Sequence, residues 1–272
     1  MKLAGNIGIF VFAAVFLWVL LFCSSAIPAR SHDQHTAANA PSHEMVIFLH
    51  GAINGPFAMK RLDTAFAMQG YETFNWDWDG RNHSMQWNAA RLDSLLYAKN
   101  AYAKTLHFVT HSMGALVVRY YLDHYPVPHL GRFVMIAPPN QGSAIATELQ
   151  DFPPFQWIYK GTVDYLTTGE DAFADTIGTP PCEFGIIAGG TGGKYGYTWY
   201  LPGDDDSILS VDNTRLEGAA DFMVINDVHS TIMIRDETIR NALHFIKHGN
   251  FIHSANSKEP VTATTEDNGN EP

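Results

Sequence analysis

The sequence predicts an α/β domain built on a mainly parallel sheet, and three observations lead there. Six short apolar runs rich in β-branched and aromatic residues have the length of strands. Longer stretches with helical spacing lie between several of them, and strand alternating with helix requires crossover connections and a sheet covered on both faces. The chain has 272 residues, of which 46% are hydrophobic, enough for a sizeable core.

Taken in order, the first strand is Met45–Leu49, five apolar residues halted by His50-Gly51. Helical spacing over Pro56–Gln69 leads to a strand over Tyr71–Trp78, and a second helix is expected over Met85–Asn100. Leu106–Thr110 reads as a strand that turns at His111-Ser112-Met113-Gly114 into a helix over Met113–Tyr125, stopped by Pro126. Strands follow at Phe133–Ile136, Phe184–Ala188 and Phe222–Ile225, and a last helix at Ile234–His248. Asn140–Cys182 breaks this rhythm with Pro153-Pro154, Pro180-Pro181 and scattered aromatics but no clear strand. It is expected to be a cap-like insertion over the carboxyl edge of the sheet, where α/β proteins bind ligands.

The folded domain should run over residues 44–253, flanked by unlike ends. Leu3 to Ile27 carries no charge, and Ile7 to Phe22 is almost wholly apolar. Residues 1–27 therefore read either as a signal peptide, with Ser24-Ser25-Ala26 or Ala29 near the cut, or as a retained membrane anchor. Lipidation of Cys23 fits poorly, because Phe22 is bulky where such signals carry a small residue. Either way the domain is expected to be exported, periplasmic or extracellular, or held at the membrane by this segment. Residues 28–43 and 254–272 lack large apolar side chains and read as a flexible linker and a disordered tail. The linker histidines His32, His35 and His43 read as solvated polar residues.

Charge and cysteine content exclude further classes. With 17 basic against 28 acidic side chains, a net −11, the chain lacks the basic surplus that neutralises phosphate backbones, so nucleic acid is not an expected partner. Cys23 and Cys182 make neither a disulfide framework nor a zinc motif. No cofactor or resident metal is called for.

Chemistry enters at Ser112. A serine between strand and helix has the geometry of a nucleophile elbow, with Oγ exposed above the sheet and Gly114 permitting close passage of helix against strand. Thr110 stands where the usual G-x-S-x-G pattern has its first glycine, and alone Ser112 reads equally as a helix N-cap. The turn His50-Gly51-Ala52 after the first strand supplies the complement: backbone N–H groups of Ala52 and Met113 are the expected oxyanion donors. A serine needs a base held in one tautomer by an acid. Of 13 histidines, His229 alone lies in the loop between the last strand and the last helix. For the acid, Asp204-Asp205-Asp206 lies between serine and histidine in chain order. It also reads as a solvated acidic turn or a calcium site.

These segments occur together in order: His50-Gly51, Thr110-His111-Ser112-Met113-Gly114, Ala137-Pro138-Pro139-Asn140-Gln141-Gly142-Ser143, Asp205-Asp206-Ser207 and Val228-His229. From Met45 to Gly249 the chain resembles the α/β-hydrolase superfamily, and within it bacterial lipase- or esterase-like enzymes. In those lipases the acid usually stands directly before a glycine. The resemblance therefore implies Asp206 as the acid, with Asp205 the runner-up, although Ser207 replaces the glycine. It also implies a Ser112–His229–Asp206 triad cleaving carboxylic esters of small-molecule or lipid substrates through an acyl-enzyme. The Pro-Pro-Asn-x-Gly-Ser stretch shapes the rim of the site in such relatives. The same residues would serve an acyltransferase, thioesterase or amidase, and a non-catalytic binding protein could keep the fold. Phe152, Phe155, Trp157, Ile158, Tyr159 and Tyr165 of the insertion read as a small satellite core before an acyl-chain lid. Trp76 and Trp78 read as packing residues.

Overall fold

The apolar runs form six strands: β1 (Glu44–Leu49), β2 (Glu72–Trp76), β3 (Thr105–His111), β4 (Leu130–Ile136), β5 (Phe184–Gly190) and β6 (Asp221–Asn226). The computed structural model describes residues 43–169 and 172–253, which lie in the compact unit Pro41–Pro272. The expected leader or anchor at 1–27, the linker except His43, and the tail at 254–272 lie outside the described residues. Among the described residues no helix is long and apolar enough to cross a membrane.

All strands pair in parallel, in the order β2-β1-β3-β4-β5-β6. After Glu44 every residue of β1 is buried, and so is all of β5, as expected of strands covered on both faces. The covering helices are α1 (Lys60–Met68), α2 (Met85–Ala98), α3 (Gly114–His124) and α8 (Asp236–His248). The chain moves outward from β1 to β2 and then returns across β1 to β3. Right-handed crossovers on the two sides of β1 place α1 and α3 on opposite faces. Accordingly α2 packs against α3, and α1 against α8.

One face of β1 presents Val46 and Phe48 to Leu62 and Phe66 of α1, in a core that continues to Ile239, Phe245 and Ile246 of α8. These side chains recur on one stripe of α8. Burying each of its large members contributes about 1.5–3 kcal/mol. Asp236 and Glu237 in the first turn and Lys247 and His248 in the last complement the helix dipole. Gly249 ends α8 at φ 81°, and its N–H donates to the Phe245 carbonyl.

The structure departs from the sequence reading at several points, and β2 covers only Glu72–Trp76 of the expected Tyr71–Trp78. β4 begins at Leu130, three residues before the expected Phe133, and β5 runs on through Gly189-Gly190. The insertion is helical in short pieces, α4 (Ala144–Leu149), α5 (Pro153–Tyr159) and α6 (Phe173–Thr176), followed after β5 by a single turn, α7 (Val211–Thr214). Phe155 and Tyr159 are buried there as a satellite core requires, but Trp157 is 76% exposed and does not belong to it. Trp76 and Trp78 are buried.

Candidate active site

The reversal of strand order falls between β1 and β3, which are hydrogen-bonded neighbours with Leu49 opposite Thr110. Two connections leaving on opposite faces open a crevice at the carboxyl ends of these strands. The turn after β1 brings Gly51 and Ala52 there, and the turn after β3 brings Ser112.

Ser112 has φ 52°, in the left-handed region. An L-residue gives up roughly 1–2 kcal/mol in that conformation. The turn is held by Ser112 N–H donating to the Ile136 carbonyl at 2.9 Å and by Ala115 N–H donating to the Ser112 carbonyl at 2.9 Å. A Cβ at Gly114 would stand 2.7 Å from the His50 carbonyl oxygen and 2.9 Å from that of Leu49, both backbone atoms that cannot swing aside. Glycine therefore lets α3 start against β1. Thr110 is a fully buried interior strand residue paired between Leu49 and Met135, so the position of the usual glycine is filled by a side chain here.

His229, in the loop after β6, joins the other two sequence-derived residues. Its Nε2 lies 3.0 Å from Ser112 Oγ and its Nδ1 lies 2.7 Å from Asp206 Oδ2. A carboxylate accepts, so Nδ1–H donates to Asp206 and Nε2 presents its lone pair to the serine hydroxyl. Asp206 is fully buried. Its Oδ1 accepts from Ile208 N–H at 3.0 Å and Leu209 N–H at 2.7 Å, and its main-chain carbonyl accepts from His229 N–H at 2.8 Å. Asp206 and His229 are thus tied through both side chain and backbone.

Asp205, the runner-up, is not brought to His229. Its carboxylate accepts from Ser207 N–H at 2.8 Å and Thr198 N–H at 3.1 Å. Asp204 accepts from the N–H groups of Thr191 and Gly192, both at 2.8 Å. The three aspartates diverge onto different backbone amides, and Asp205 and Asp206 are buried, so the solvated-turn reading is corrected. Among the described residues no group of three or more His, Cys, Asp or Glu side chains could hold a metal ion. Ser207, in the position of the lipase-type glycine, takes φ 82°.

Ala52 and Met113 are both buried at the crevice, and neither amide has a backbone acceptor among the described residues. The turn after β1 is braced from behind. His50 Nδ1 lies 2.8 Å from the Gly51 carbonyl, Trp78 Nε1–H donates to the His50 carbonyl at 3.0 Å, and the two rings stack at 5.6 Å. Burial lowers the His50 pKa, partly countered by its hydrogen bond to Gly51 and by Asp77. Gly80 fits only as glycine, since a Cβ would stand 2.5 Å from the Ala52 carbonyl oxygen.

Residues 140–143 brace the segment that follows Asp206. Ser143 Oγ donates to the Ile208 carbonyl at 3.3 Å, Gln141 N–H to that of Asn213 at 3.0 Å, and Asn140 Nδ2 to that of Thr214 at 2.9 Å. Asn140 is in turn held by Arg119 of α3, whose buried guanidinium also donates to the carbonyls of Ala174, Ile177 and Gly178. Burial pushes Arg119 down to about 10, against the opposing charges of Asp175 and Asp123. Sequence reasoning missed this anchor, because one arginine in an amphipathic helix reads as solvated.

In sequence comparisons no family model and no curated protein matches the chain. Solved structures do. A lipase of Bacillus licheniformis, BlEst2, in its mature form superposes with a TM-score of 0.61 at 19% identity, covering 82% of this chain and 96% of that one. Its propeptide form gives 0.59 at 18% identity, covering 84% and 54%. A metagenomic carboxyl esterase gives 0.53 at 17% identity, covering 75% and 70%. The switch-point crevice, the elbow at Ser112 and these superpositions agree on the architecture: the chain has the α/β-hydrolase fold.

Proposed function

We propose that this protein is a serine hydrolase that cleaves carboxylic esters by two-step acyl transfer. The observation carrying this reading is the continuous hydrogen-bonded line from Ser112 Oγ through His229 Nε2 and Nδ1 to Asp206 Oδ2, at 3.0 and 2.7 Å. Ser112 Oγ attacks the ester carbonyl as His229 Nε2 takes its proton. The C–O π pair moves onto oxygen, which the Ala52 and Met113 N–H groups receive. Donors of this kind contribute about 3 kcal/mol each to lowering such barriers. The intermediate collapses, the alcohol leaves with the proton from His229, and water repeats the sequence on the acyl-enzyme to release the acid. Asp206 keeps Nδ1 protonated and stabilises the transient imidazolium without taking the proton.

Lipase- and esterase-type neighbours support ester chemistry, with small-molecule or lipid esters as the substrate class. Residues 1–27 support export, with the segment removed or retained as an anchor. Fractionation of expressing cells combined with N-terminal sequencing separates these two. The function itself is tested with a fluorophosphonate probe and p-nitrophenyl esters of graded chain length. Wild-type protein should be labelled at Ser112 and turn over esters, and Ser112→Ala should do neither. A folded wild type that resists labelling and leaves every ester intact refutes the proposal.

A further inference from the structure

Beside the three reacting side chains stands a buried imidazole that acyl transfer does not use. His111 closes β3, directly before Ser112, and is almost wholly inaccessible. Its Nε2 lies 3.0 Å from the carbonyl oxygen of His229. A carbonyl only accepts, so the proton sits on Nε2 and Nδ1 is bare. Nδ1 is buried and has no hydrogen-bond partner among the described residues. It faces the oxyanion turn, where a Cβ on Gly51 would stand 3.2 Å away. The His111 and His229 rings are 4.9 Å apart, inclined at 47°.

The peptide groups of His229 are therefore gripped on two sides. Its N–H is held by the Asp206 carbonyl and its C=O by His111. The first contact sets the base against its acid. The second ties it to the strand that ends at the nucleophile. We propose that His111 is a positioning residue for the acyl-transfer site: its Nε2–H fixes the His229 carbonyl and so holds the His229 ring within hydrogen-bond reach of Ser112 Oγ. This inference rests on the catalytic reading above. The donor must also be neutral, because a cation 4.9 Å from His229 would oppose the imidazolium that forms there during attack. Burial and the neighbouring His229 both keep His111 in that form.

A length-matched pair of substitutions isolates the donor. Glutamine at 111 can offer a side-chain N–H to the His229 carbonyl, whereas methionine has similar reach and no donor. His111→Met should lose about tenfold in kcat with KM unchanged, the scale of one hydrogen bond acting on geometry, and His111→Gln should stay within about threefold of wild type. A methionine variant within about twofold of wild type, an equal loss in both variants, or a loss confined to KM overturns the proposal. Circular dichroism confirms folding. If the methionine variant does not fold, the glutamine variant decides alone: kcat within about threefold supports the positioning role, and a loss of about tenfold overturns it. Fluorophosphonate labelling of wild type keeps the two readings apart. Wild type that is neither labelled nor esterolytic overturns the catalytic reading and this one with it. Labelled wild type with an indifferent methionine variant overturns only the role of His111.

Discussion

Replacing Asp206 by asparagine separates its chemical role from its structural one. The amide side chain would keep a carbonyl oxygen for the N–H groups of Ile208 and Leu209, which Oδ1 accepts at 3.0 and 2.7 Å. In place of Oδ2, 2.7 Å from His229 Nδ1, it would present an NH2. His229 must then turn a lone pair toward position 206 and carry its proton on Nε2, facing Ser112 Oγ, where it can no longer accept. The expected loss in kcat is about 10⁴-fold, or about 5.4 kcal/mol at 1.36 kcal/mol per decade. Stability should fall by only about 1 kcal/mol, the difference between charge-assisted and neutral hydrogen bonds at a site that keeps its geometry. Asp206→Ala should instead cost roughly 2–6 kcal/mol, because two buried amides lose their acceptor at about 1–3 kcal/mol each. Asp205→Asn is the control, since its carboxylate accepts from the Ser207 and Thr198 amides and, among the described residues, makes no hydrogen bond to His229. It should keep kcat within about tenfold. The assay is kcat and KM on a short-chain p-nitrophenyl ester, with thermal unfolding measured on the same samples. Asp206→Asn retaining kcat within tenfold, or Asp205→Asn losing more than Asp206→Asn, would refute the assignment.

Other consequences follow from the same contacts. Ser207→Gly should raise stability by about 1 kcal/mol, because φ 82° is costly for serine and free for glycine; thermal unfolding against wild type reads it. Arg119→Met should destabilise by on the order of 3 kcal/mol, since the carbonyls of Ala174, Ile177 and Gly178 lose a shared donor; denaturant unfolding is the check. Stability should also fall on acidification. His50, His107 and His111 all have pKa values lowered by burial, while their unfolded values lie near 6.5, so the unfolded chain takes up more protons below that pH. Their stabilising effect is complete above about pH 6.5 and declines as pH falls toward the folded values, by up to about 1.4 kcal/mol per unit for each histidine. Denaturant midpoints at pH 7.5 and 5.5 measure this, and His111→Met should show a shallower decline.

Strands and helices were legible because burial on both faces leaves a strong signature. Met45–Leu49 is continuously apolar, and the structure buries every one of those residues. Legibility failed where a residue serves something other than its own element. Gly189 and Gly190 do not read as strand, since glycine is poor at it. They extend β5 because a Cβ at Gly189 would stand 2.7 Å from Asp206 Cβ, and one at Gly190 2.6 Å from Asp204 Oδ2. The strand's end is shaped by the aspartate loop that packs on it, a contact that no local pattern encodes. The hydrogen bonds that brace the site were hidden for a similar reason: Arg119 reaches the Ala174 carbonyl 55 residues on, and His111, readable as packing support for the turn, reaches the His229 carbonyl 118 residues on.

The choice among three adjacent aspartates shows where residue type stops being informative. Composition and chain order admit each of them, and only the resemblance favoured Asp206. The structure supplies a physical discriminator in the backbone. Asp205 pairs with Ser210 in an isolated antiparallel bridge, and Asp206 N–H donates to the Leu209 carbonyl, closing residues 206–209 into a tight turn. Ser207 lies at the left-handed position of that turn, which lets the N–H groups of Ile208 and Leu209 converge on Asp206 Oδ1. The glycine that usually follows the acid in lipases thus corresponds here to a conformational requirement, which serine meets at an energetic cost. An aspartate placed before a left-handed residue has two amides awaiting its carboxylate and one oxygen left over for a histidine. At Asp205 both oxygens are instead taken up by the Ser207 and Thr198 amides of its own and the preceding loop. Replacing Ser207 by a β-branched residue should therefore injure catalysis as well as stability. Ser207→Val would move the turn out of the left-handed region, scatter the two amides and release Asp206 from its alignment with His229. Its kcat should fall by at least about tenfold while Ser207→Gly keeps the turn; equal kcat in the two variants would sink the argument.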